Sequence, residues 1–410
     1  MIKIGFNNLR PCVIGLGYVG LPVFLNLQYH IKTVGYDVNK ERVQYLKRRI
    51  DTNNEFKKKK LVLKKKSVFS SSFNDIKNCN FFIITLPTPL KKNNKPDMSI
   101  LHHVSKKLSK ILKFGDIIVF ESTVYPGACK ELITKYLQPV SGLIENKDFF
   151  VCYSPERINP GDKKHTLKNT KKILAIKSKN LYVKKKTIYI YKKITNKIVL
   201  TNNIEEAEMA KLIENVQRDI NIAITNDIFL FSKKMGFNFK NINNLASTKW
   251  NFRKFNPGLV GGHCLPVDPY YLIDVAKKNS IKMKTVLSGR AINNEIGRWT
   301  QQQIEKKIRN RNYKKIYFLG ITYKKNSSDT RNSLPLDIYK NLRKKYQKVY
   351  AVDNYCGIKD RKKYMILNKI KEYNKNSFYI FLLNHKENYK IFKKIKKNHL
   401  DFYDPFGFFQ

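Results

Sequence analysis

The chain has few acidic residues, no long apolar run and no regular cysteine spacing. None of its apolar stretches approaches the ~20 unbroken residues that a membrane-spanning helix needs, so neither a membrane segment nor a membrane partner is predicted. The cysteines form no CxxC pair and no disulfide framework, which argues against a zinc site and against a secreted disulfide scaffold. We therefore expect a cytoplasmic protein that binds no metal. The six cysteines are Cys12, Cys79, Cys129, Cys152, Cys264 and Cys356.

Acidic side chains are outnumbered by basic ones, with 31 Asp and Glu against 81 Lys and Arg, which gives a formal charge of +50. One interpretation is a nucleic-acid or membrane-surface protein whose basic side chains replace counterions along phosphates. The other is compositional drift toward lysine, because runs such as KKKKLVLKKK at residues 57–66 recur along the chain instead of forming one face. We favour drift and predict no specific nucleic-acid partner.

Short apolar segments alternate with longer helix-like segments near both ends of the chain. Strands separated by helices are typical of parallel sheets with crossover connections. The predicted fold class is α/β, with two Rossmann-like parallel-sheet domains joined by a long central helix and a helical middle region. A C-terminal helix is predicted from about Leu334 to Lys345. The predicted strands lie in PCVIGLG, KTVGYDVN, CNFFIITLP, DIIVFEST, DFFVCYSPE, KKIYFLGITY, KVYAVDNY and SFYIFLLN.

The central helix is predicted from a proline-free stretch, NIEEAEMAKLIENVQRDINIAITNDIFLFSKKMG, whose apolar residues recur at helical spacing. Asn202 or Asn203 is expected to cap its start, and Gly236 to end it. A helix of this length should expose an apolar stripe, so we expect a homodimer built on it. The predicted domains span residues 1–200, 201–300 and 301–410.

A glycine-rich loop follows the first predicted strand. Gly15, Gly17 and Gly20 form GxGxxG between a strand and a helix, and Asp37 ends the next strand. In such loops the glycines allow a tight turn, close approach of a pyrophosphate and helix–strand packing, while an acidic residue accepts hydrogen bonds from the ribose hydroxyls. An acid at that position favours NAD over NADP. Arg42 faces either this cofactor or solvent.

A second candidate site is GGHCLPVDPYYL, in which Cys264 follows paired glycines and Asp268 comes four residues later. The glycines were expected to leave room for another molecule beside the backbone, and the aspartate to polarise the site. A thiol together with a dinucleotide site suggests oxidation of an alcohol to an acid. The thiolate would capture the aldehyde, and a second hydride transfer would leave a thioester for water to cleave.

These features together resemble the nucleotide-sugar 6-dehydrogenases, the family that oxidises the C6 alcohol of a nucleotide sugar to an acid. The resemblance covers nearly the whole chain, with the motifs in the family's order. It implies that the first domain binds NAD, that the central region carries the catalytic lysine and cysteine, and that the last binds the UDP-sugar. The motifs are VIGLGYVGLP, YDVNKERV, TLPTPL, ESTVYPG, YSPERINPGD, AEMAKLIENVQRDINIA, NPGLVGGHCLPVDPYYL, SGRAINNE and GITYKKNSSDTRNS.

The resemblance also implies catalytic roles. Cys264 is the nucleophile, Asp268 works in proton transfer, Glu156 assists thioester hydrolysis and Thr123 holds the water. Two further residues, Lys211 and Asn215, lie four apart on the long helix, where an ammonium and an amide on one face could stabilise the alkoxide oxygen at C6. By spacing alone, a solvated helix face is the favoured interpretation of the same pair.

Binding residues follow from the same resemblance. Arg331 is expected to reach the NAD pyrophosphate, and Lys324 to contact the UDP end. The full NAD set is Gly15, Gly17, Tyr18, Val19, Gly20, Asp37, Arg42, Thr88, Thr123 and Arg331. The full substrate set is Glu156, Arg157, Lys211, Asn215, Arg253, Phe255, Gly258, Gly261 and Lys324.

Two positions bear on the sugar. Family members acting on UDP-glucose usually carry a lysine where this chain has Val267, and His263 before the cysteine resembles the branch acting on UDP-N-acetylhexosamines for capsule or O-antigen uronic acids. His263 either lowers the thiol pKa or only packs. The predicted substrate is UDP-GlcNAc or UDP-GalNAc, with UDP-glucose as the alternative. A catalytically inactive Rossmann protein that binds nucleic acid is the alternative from another class.

Overall fold

The computed structural model describes residues 8–53, 55–157, 166–309 and 311–409. The described chain divides into two compact units. The first runs to Glu214 and includes Tyr270–Val275, and the second contains Asn215–Pro269 and the chain from Ala276 onward. In the part of the chain that the structure describes, no helix is both long enough and apolar enough to span a membrane.

The first unit is built on an eight-stranded sheet of order β3-β2-β1-β4-β5-β6-β7-β8, parallel except between β6 and β7. The chain order reverses between β1 and β4, which in open α/β sheets is the point where dinucleotides bind. The strands are β1 (Pro11–Ile14), β2 (Val34–Tyr36), β3 (Val68–Ser70), β4 (Phe81–Ile84), β5 (Ile117–Phe120), β6 (Phe150–Tyr153), β7 (Lys172–Ile176) and β8 (Ile198–Thr201).

Strands β1, β4, β5 and β6 are buried along their whole length, which explains their continuous apolar sequence. The helices between the strands of this sheet are α1 (Gly20–Leu27), α2 (Lys40–Lys47), α3 (Ser99–Ser109), α4 (Ala128–Leu132), α5 (Gln138–Ser141) and α6 (Leu181–Ile194). A π-helical turn at Ile133–Leu137 joins α4 to α5, and short 3₁₀ turns occupy Lys58–Lys60 and Phe73–Ile76.

The long helix α7 spans Ile204–Lys234, as predicted. The side chain of Asn203 accepts from the amide of Glu206 at 3.1 Å, so Asn203 is the cap. At the other end Gly236 adopts φ of +75°, and the amide of Phe237 closes the last turn on the carbonyl of Ser232 at 2.8 Å. The helix contributes residues to both units.

The second unit contains a five-stranded parallel sheet of order β11-β10-β9-β12-β13. The C-terminal helix predicted from about Leu334 to Lys345 is present with those bounds. The strands are β9 (Lys315–Leu319), β10 (Val349–Val352), β11 (Ile366–Leu367), β12 (Ser377–Phe381) and β13 (Phe402–Tyr403). The remaining helices are α8 (Phe239–Ala246), α9 (Asp268–Lys278), α10 (Lys284–Arg309), α11 (Leu334–Lys345), α12 (Ile358–Tyr364) and α13 (Lys386–Lys397). The predicted α/β class with two parallel-sheet domains and a long helix is confirmed.

Candidate active site

The glycine loop lies at the carboxyl end of β1, at the reversal of strand order. Gly15 has φ of +93°, and a Cβ at Gly20 would lie 1.8 Å from the carbonyl oxygen of Gly15, so helix α1 packs directly on the turn. No heavy atom lies within 4 Å of the Cβ position at Gly17. The carboxylate of Asp37 accepts from the Leu16 amide at 2.8 Å. These are the geometric features that a bound pyrophosphate and ribose require.

Arg42 lies against this loop instead of in solvent, with 8% of its surface exposed. Its Nε donates to the carbonyl of Leu16 at 3.1 Å, and its Nη1 donates to Asp51 at 2.7 Å. Among the described residues its buried Nη2 has no hydrogen-bond partner. An unpartnered cationic nitrogen beside the glycine loop fits a phosphate or ribose ligand.

A buried cluster of charged residues lies behind the carboxyl ends of β5 and β6. The ammonium of Lys172 donates to one oxygen each of Glu121 and Glu156, both at 2.9 Å. The hydroxyl of Tyr191 donates to the other oxygen of Glu121 at 2.5 Å. Burial raises the pKa of Glu121 to about 7, against the opposing effect of Lys172. Burial acts to lower the pKa of Lys172, but the charges of the two carboxylates act more strongly in the other direction, so its pKa is raised.

Glu156 joins this cluster to the long helix. The ammonium of Lys211 donates to the backbone carbonyl of Glu156 at 2.6 Å, and both residues are 7% exposed. Arg157 forms an ion pair with Glu214 on the same unit. Glu156 and Arg157 belong to the motif YSPERINPGD, of which residues 158–162 lie outside the described residues. Lys211 is therefore buried and does not belong to a solvated helix face.

Two threonines lie at neighbouring strand ends of the first unit. The hydroxyl of Thr88 donates to the carbonyl of Thr123 at 2.7 Å, and the hydroxyl of Tyr271 donates to the carbonyl of Thr88 at 3.0 Å. The fully buried Glu208 accepts from the amides of Gly127 and Cys129 at 2.6 and 2.9 Å. These contacts fix the loop after β5 to α7, three residues before Lys211.

In the second unit, Asn215 and Asp268 meet directly. The amide nitrogen of Asn215 donates to a carboxylate oxygen of Asp268 at 2.6 Å, and the residues are 5% and 1% exposed. Asn215 also lies off any solvated face. Asp268 is the first residue of α9, where a carboxylate interacts favourably with the helix dipole.

Cys264 lies in the turn before α9 and is the exposed one of the six cysteines, all of which the structure describes. Its carbonyl accepts from the amides of Val267 and Asp268, at 3.0 and 2.8 Å. Burial, with a further contribution from Arg331, lowers the pKa of His263 to about 4. His263 is therefore neutral near pH 7 and cannot lower the pKa of the thiol by its charge.

The paired glycines before Cys264 pack against another loop of the chain. A Cβ at Gly261 would lie 2.6 Å from the carbonyl oxygen of Asn332, and one at Gly262, where φ is +91°, would lie 2.8 Å from the ring of Tyr323. The space at these two Cβ positions is filled by the loop after β9 of the same chain. The absence of a Cβ at both positions therefore permits close packing of the two loops.

Further residues predicted to contact NAD or the substrate lie in the second unit. The guanidinium of Arg331 forms a bidentate ion pair with Asp329. The backbone carbonyl of Arg331 accepts from the amide of Gly262 at 3.0 Å. Asn226 forms reciprocal hydrogen bonds with Gly258, at 2.9 and 3.1 Å, and no atom lies within 4 Å of the Cβ position there. The other predicted contacts are exposed or half-buried: Arg253, Phe255 and Lys324.

The sequence did not single out the partners of Glu156. Glu121 had one usable signal, since an acidic residue directly after a buried parallel strand lies at the edge where ligands bind. Lys172 had none, because lysines are abundant throughout the chain. Among the described residues, no cluster of three or more His, Cys, Asp or Glu side chains could hold a metal ion.

Comparisons with known proteins cover both units. The family models of the UDP-glucose/GDP-mannose dehydrogenase family match as its NAD binding domain at residues 9–195, its central domain at 205–295 and its UDP binding domain at 317–407. The chain is 38% identical over 368 residues to UDP-N-acetyl-D-glucosamine 6-dehydrogenase of Salmonella typhi, covering 88% of this chain and 86% of that protein. It is 36% identical to Protein CapL of Staphylococcus aureus, covering 93% and 91%.

A solved structure has the same architecture. The UDP-D-ManNAc dehydrogenase of Pyrococcus horikoshii superimposes with a TM-score of 0.81 at 28% identity, covering 94% of this chain and 93% of that one. The matching NAD binding domain contains the glycine loop and Asp37, so the cofactor is NAD. The chain belongs to the UDP-glucose/GDP-mannose dehydrogenase family and is an NAD-dependent nucleotide-sugar 6-dehydrogenase.

Proposed function

We propose that this enzyme oxidises the C6 alcohol of a UDP-N-acetylhexosamine, with UDP-GlcNAc as the preferred substrate, to the uronic acid through a covalent intermediate on Cys264. The observation that carries the proposal is the single exposed thiol, held in the turn before Asp268 and its partner Asn215. Relatives named UDP-GlcNAc 6-dehydrogenases are 38% identical, whereas those named UDP-ManNAc dehydrogenases are 30–31% identical. The product would serve as a precursor of surface polysaccharide.

The covalent route accounts for an alcohol becoming an acid on one enzyme. The Cys264 sulfur bonds to C6 of the aldehyde to give a thiohemiacetal, which loses a second hydride to become a thioester. Water then adds to C6, the carbon–sulfur bond breaks and the thiolate is regenerated. In total one alcohol, one water and two NAD give one carboxylate, two NADH and three protons. NAD supplies the hydride acceptor in both oxidations.

The other proposed catalytic side chains supply the proton and charge chemistry. Lys211 and Asn215 donate hydrogen bonds to the oxygen on C6, where negative charge develops. Asp268, held by Asn215, and Lys211 transfer the protons, and Glu156 accepts the proton of the water that Thr123 holds. All of these except Thr123 are buried, which strengthens their electrostatic effect on a bound substrate.

Binding of the two nucleotides is assigned to separate residues. The glycine loop holds the pyrophosphate of NAD, Asp37 accepts from the adenosine ribose, and the unpartnered Nη2 of Arg42 donates nearby. The other residues proposed to contact NAD are Tyr18, Val19, Thr88, Thr123 and Arg331. The residues proposed to hold the UDP-sugar beyond its C6 are Arg157, Arg253, Phe255, Gly258, Gly261 and Lys324.

NADH formation with a panel of sugars tests the proposal. We expect kcat/KM for UDP-GlcNAc to exceed that for UDP-glucose by about 10- to 100-fold, because a pocket shaped for the acetamido group is left partly unfilled by a hydroxyl. UDP-GalNAc and UDP-ManNAc complete the panel, and each uronate formed should accompany two NADH. Absorbance of NADH and mass spectrometry of the nucleotide sugar are the measurements.

The panel separates the alternatives. A higher kcat/KM for UDP-glucose would support UDP-glucose 6-dehydrogenase instead. No NADH from any of the sugars, together with salt-sensitive binding of RNA, would support a catalytically inactive basic protein.

We further propose a homodimer formed through α7. An apolar stripe on the second-unit part of this helix is exposed at Ile224, Ile228 and Phe231 and continues at Met235 in the turn directly after it, by 46–58% of each residue. Their spacing of four, three and four places them on one helix face. An apolar row of this kind on an otherwise lysine-rich surface is typical of a subunit interface.

Phe231→Glu is expected to convert the dimer to a monomer, weakening association by at least about 100-fold because it removes an apolar anchor and buries a charge. Phe114→Glu is the matched control, since Phe114 is 77% exposed and lies outside α7. Light scattering after size-exclusion chromatography measures the mass. A wild-type protein that is monomeric at working concentration, or a Phe231→Glu variant that stays dimeric, would contradict this interface.

A further inference from the structure

The cluster of Glu121, Lys172 and Tyr191 behind Glu156 has no role in the catalytic scheme above. These three residues are 2%, 3% and 0% exposed. Burying an ion pair costs solvation free energy that apolar side chains of the same volume would not cost, so a buried pair is weak evidence for a contribution to stability. The cluster therefore calls for a functional explanation.

The cluster fixes the carboxylate of Glu156 at both oxygens. Oε2 accepts from the Lys172 ammonium at 2.9 Å, and Oε1 accepts from the backbone amide of Arg157 at 2.7 Å. The backbone carbonyl of the same residue accepts from Lys211 at 2.6 Å. The side chain and main chain of Glu156 are thus held by two different lysines, on β7 and α7.

We infer that Lys172 is a positioning residue for Glu156, aiming its carboxylate for the hydrolysis of the thioester, while Glu121 pairs with the same lysine and Tyr191 holds Glu121. This inference rests on the proposed function, in which Glu156 accepts the proton of the attacking water. In that step the water oxygen bonds to C6, its proton moves to the carboxylate and the Cys264 thiolate leaves.

The charges around Glu156 explain why one lysine is needed. Lys172 faces it from β7, Glu121 from the end of β5 and Lys211 from α7, while the guanidinium of Arg157 is engaged by Glu214. Burial raises the pKa of Glu121 to about 7, so near that pH the pair of Glu121 and Glu156 takes up one proton and Lys172 then serves a single charged carboxylate. Above that pH both carboxylates are charged and share the lysine. Such a coupled pair titrates as a unit.

Lys172→Met is the primary test. After rapid mixing with NAD and UDP-GlcNAc, we expect the initial burst of two NADH per active site to persist, because Lys172 plays no part in hydride loss. We expect the steady-state rate to fall about 100-fold, the usual contribution of a general base, while the Cys264 thioester accumulates.

Without the lysine the two carboxylates keep one proton to higher pH, so the acidic limb of the rate profile should move up by about one pH unit or more. Stopped-flow absorbance and intact mass measure these effects.

Lys186→Met is the matched control, since Lys186 is a buried lysine of the same unit whose ammonium lies 3.9 Å from the Tyr182 ring centroid. It should keep the wild-type burst, steady state and pH profile. Lys172→Arg, which keeps the charge, should restore the acidic limb to near its wild-type position. A Lys172→Met variant with the hydrolysis rate and pH profile of the wild type would overturn the inference. Turnover and a Cys264 adduct in the wild-type protein would in that case leave the proposed function standing. No NADH from the wild-type protein would instead overturn the proposed function.

Glu121→Gln keeps the test decisive if Lys172→Met does not fold. The amide copies the shape of the protonated acid, and it leaves Lys172 to Glu156 at every pH. We expect the hydrolysis-limited rate of the wild-type protein to change near pH 7, and that change to be absent in Glu121→Gln. The same inflection in both proteins, or none in the wild type, would overturn the shared use of Lys172.

Discussion

Cys264→Ala is expected to abolish uronic acid formation, lowering its rate by roughly 10⁴-fold or more, as removal of a catalytic nucleophile does elsewhere. The variant has no sulfur to capture the aldehyde, so no thioester can form. Binding of NAD should be unchanged, because the glycine loop belongs to the other compact unit. Uronate is measured by mass spectrometry and NAD affinity by calorimetry. Because Cys264 is exposed, the thermal midpoint should also stay close to that of the wild type.

Cys356→Ala is the control, since it removes a buried thiol from the same unit and should leave acid formation intact. With substrate and NAD, intact mass should reveal an acyl adduct on the wild-type protein and none on Cys264→Ala. Full uronate production by Cys264→Ala would refute the thioester route.

Gly20→Ala is expected to destabilise the first unit by about 3 kcal/mol or more, because its Cβ would meet the Gly15 carbonyl at 1.8 Å and backbone cannot yield as a side chain can. NAD binding should be lost with the loop geometry. Gly17→Ala is the matched comparison, since its Cβ meets no atom within 4 Å. That variant should melt within about 1–2 °C of the wild type, as substitutions away from packed positions do, yet bind NAD at least about 10-fold more weakly.

Thermal melting without ligand and calorimetry with NAD separate the two effects. Wild-type NAD affinity in Gly17→Ala would place the pyrophosphate elsewhere. A Gly20→Ala variant as stable as the wild type would contradict the packing of α1 on the turn of β1.

Local signals predicted the long elements well and the marginal ones poorly. Helix α7 was predicted because an asparagine cap, an apolar period and a terminal glycine agree with one another. Strands β3, β7, β8, β11 and β13 were not predicted, and β11 and β13 have only two residues each, too few for any alternation to appear. Helix α6 lies in a lysine-rich segment and was not predicted, yet its Val183, Ile190 and Ile194 are fully buried. Its lysines obscured an ordinary core face.

The domain boundaries and the site residues were both predicted from the sequence. The predicted division at residues 200 and 300 remains a prediction beside the two compact units. The site roles also remain proposals. For Lys211 and Asn215, spacing alone allowed either a functional pair or a solvated face, and burial excludes the second reading.

The sequence by itself determined the glycine loop with its acidic partner, the single cysteine motif, and the α/β order of elements, because each depends on residues close together along the chain. Only the tertiary structure decided that Glu121, Glu156 and Lys172 form one buried cluster, that His263 is neutral, and that Tyr323 and Asn332 fill the space beside the paired glycines. Those outcomes depend on which strand ends and loops are neighbours in space. Burial and the charges that surround a group follow from that arrangement, and they set its proton affinity.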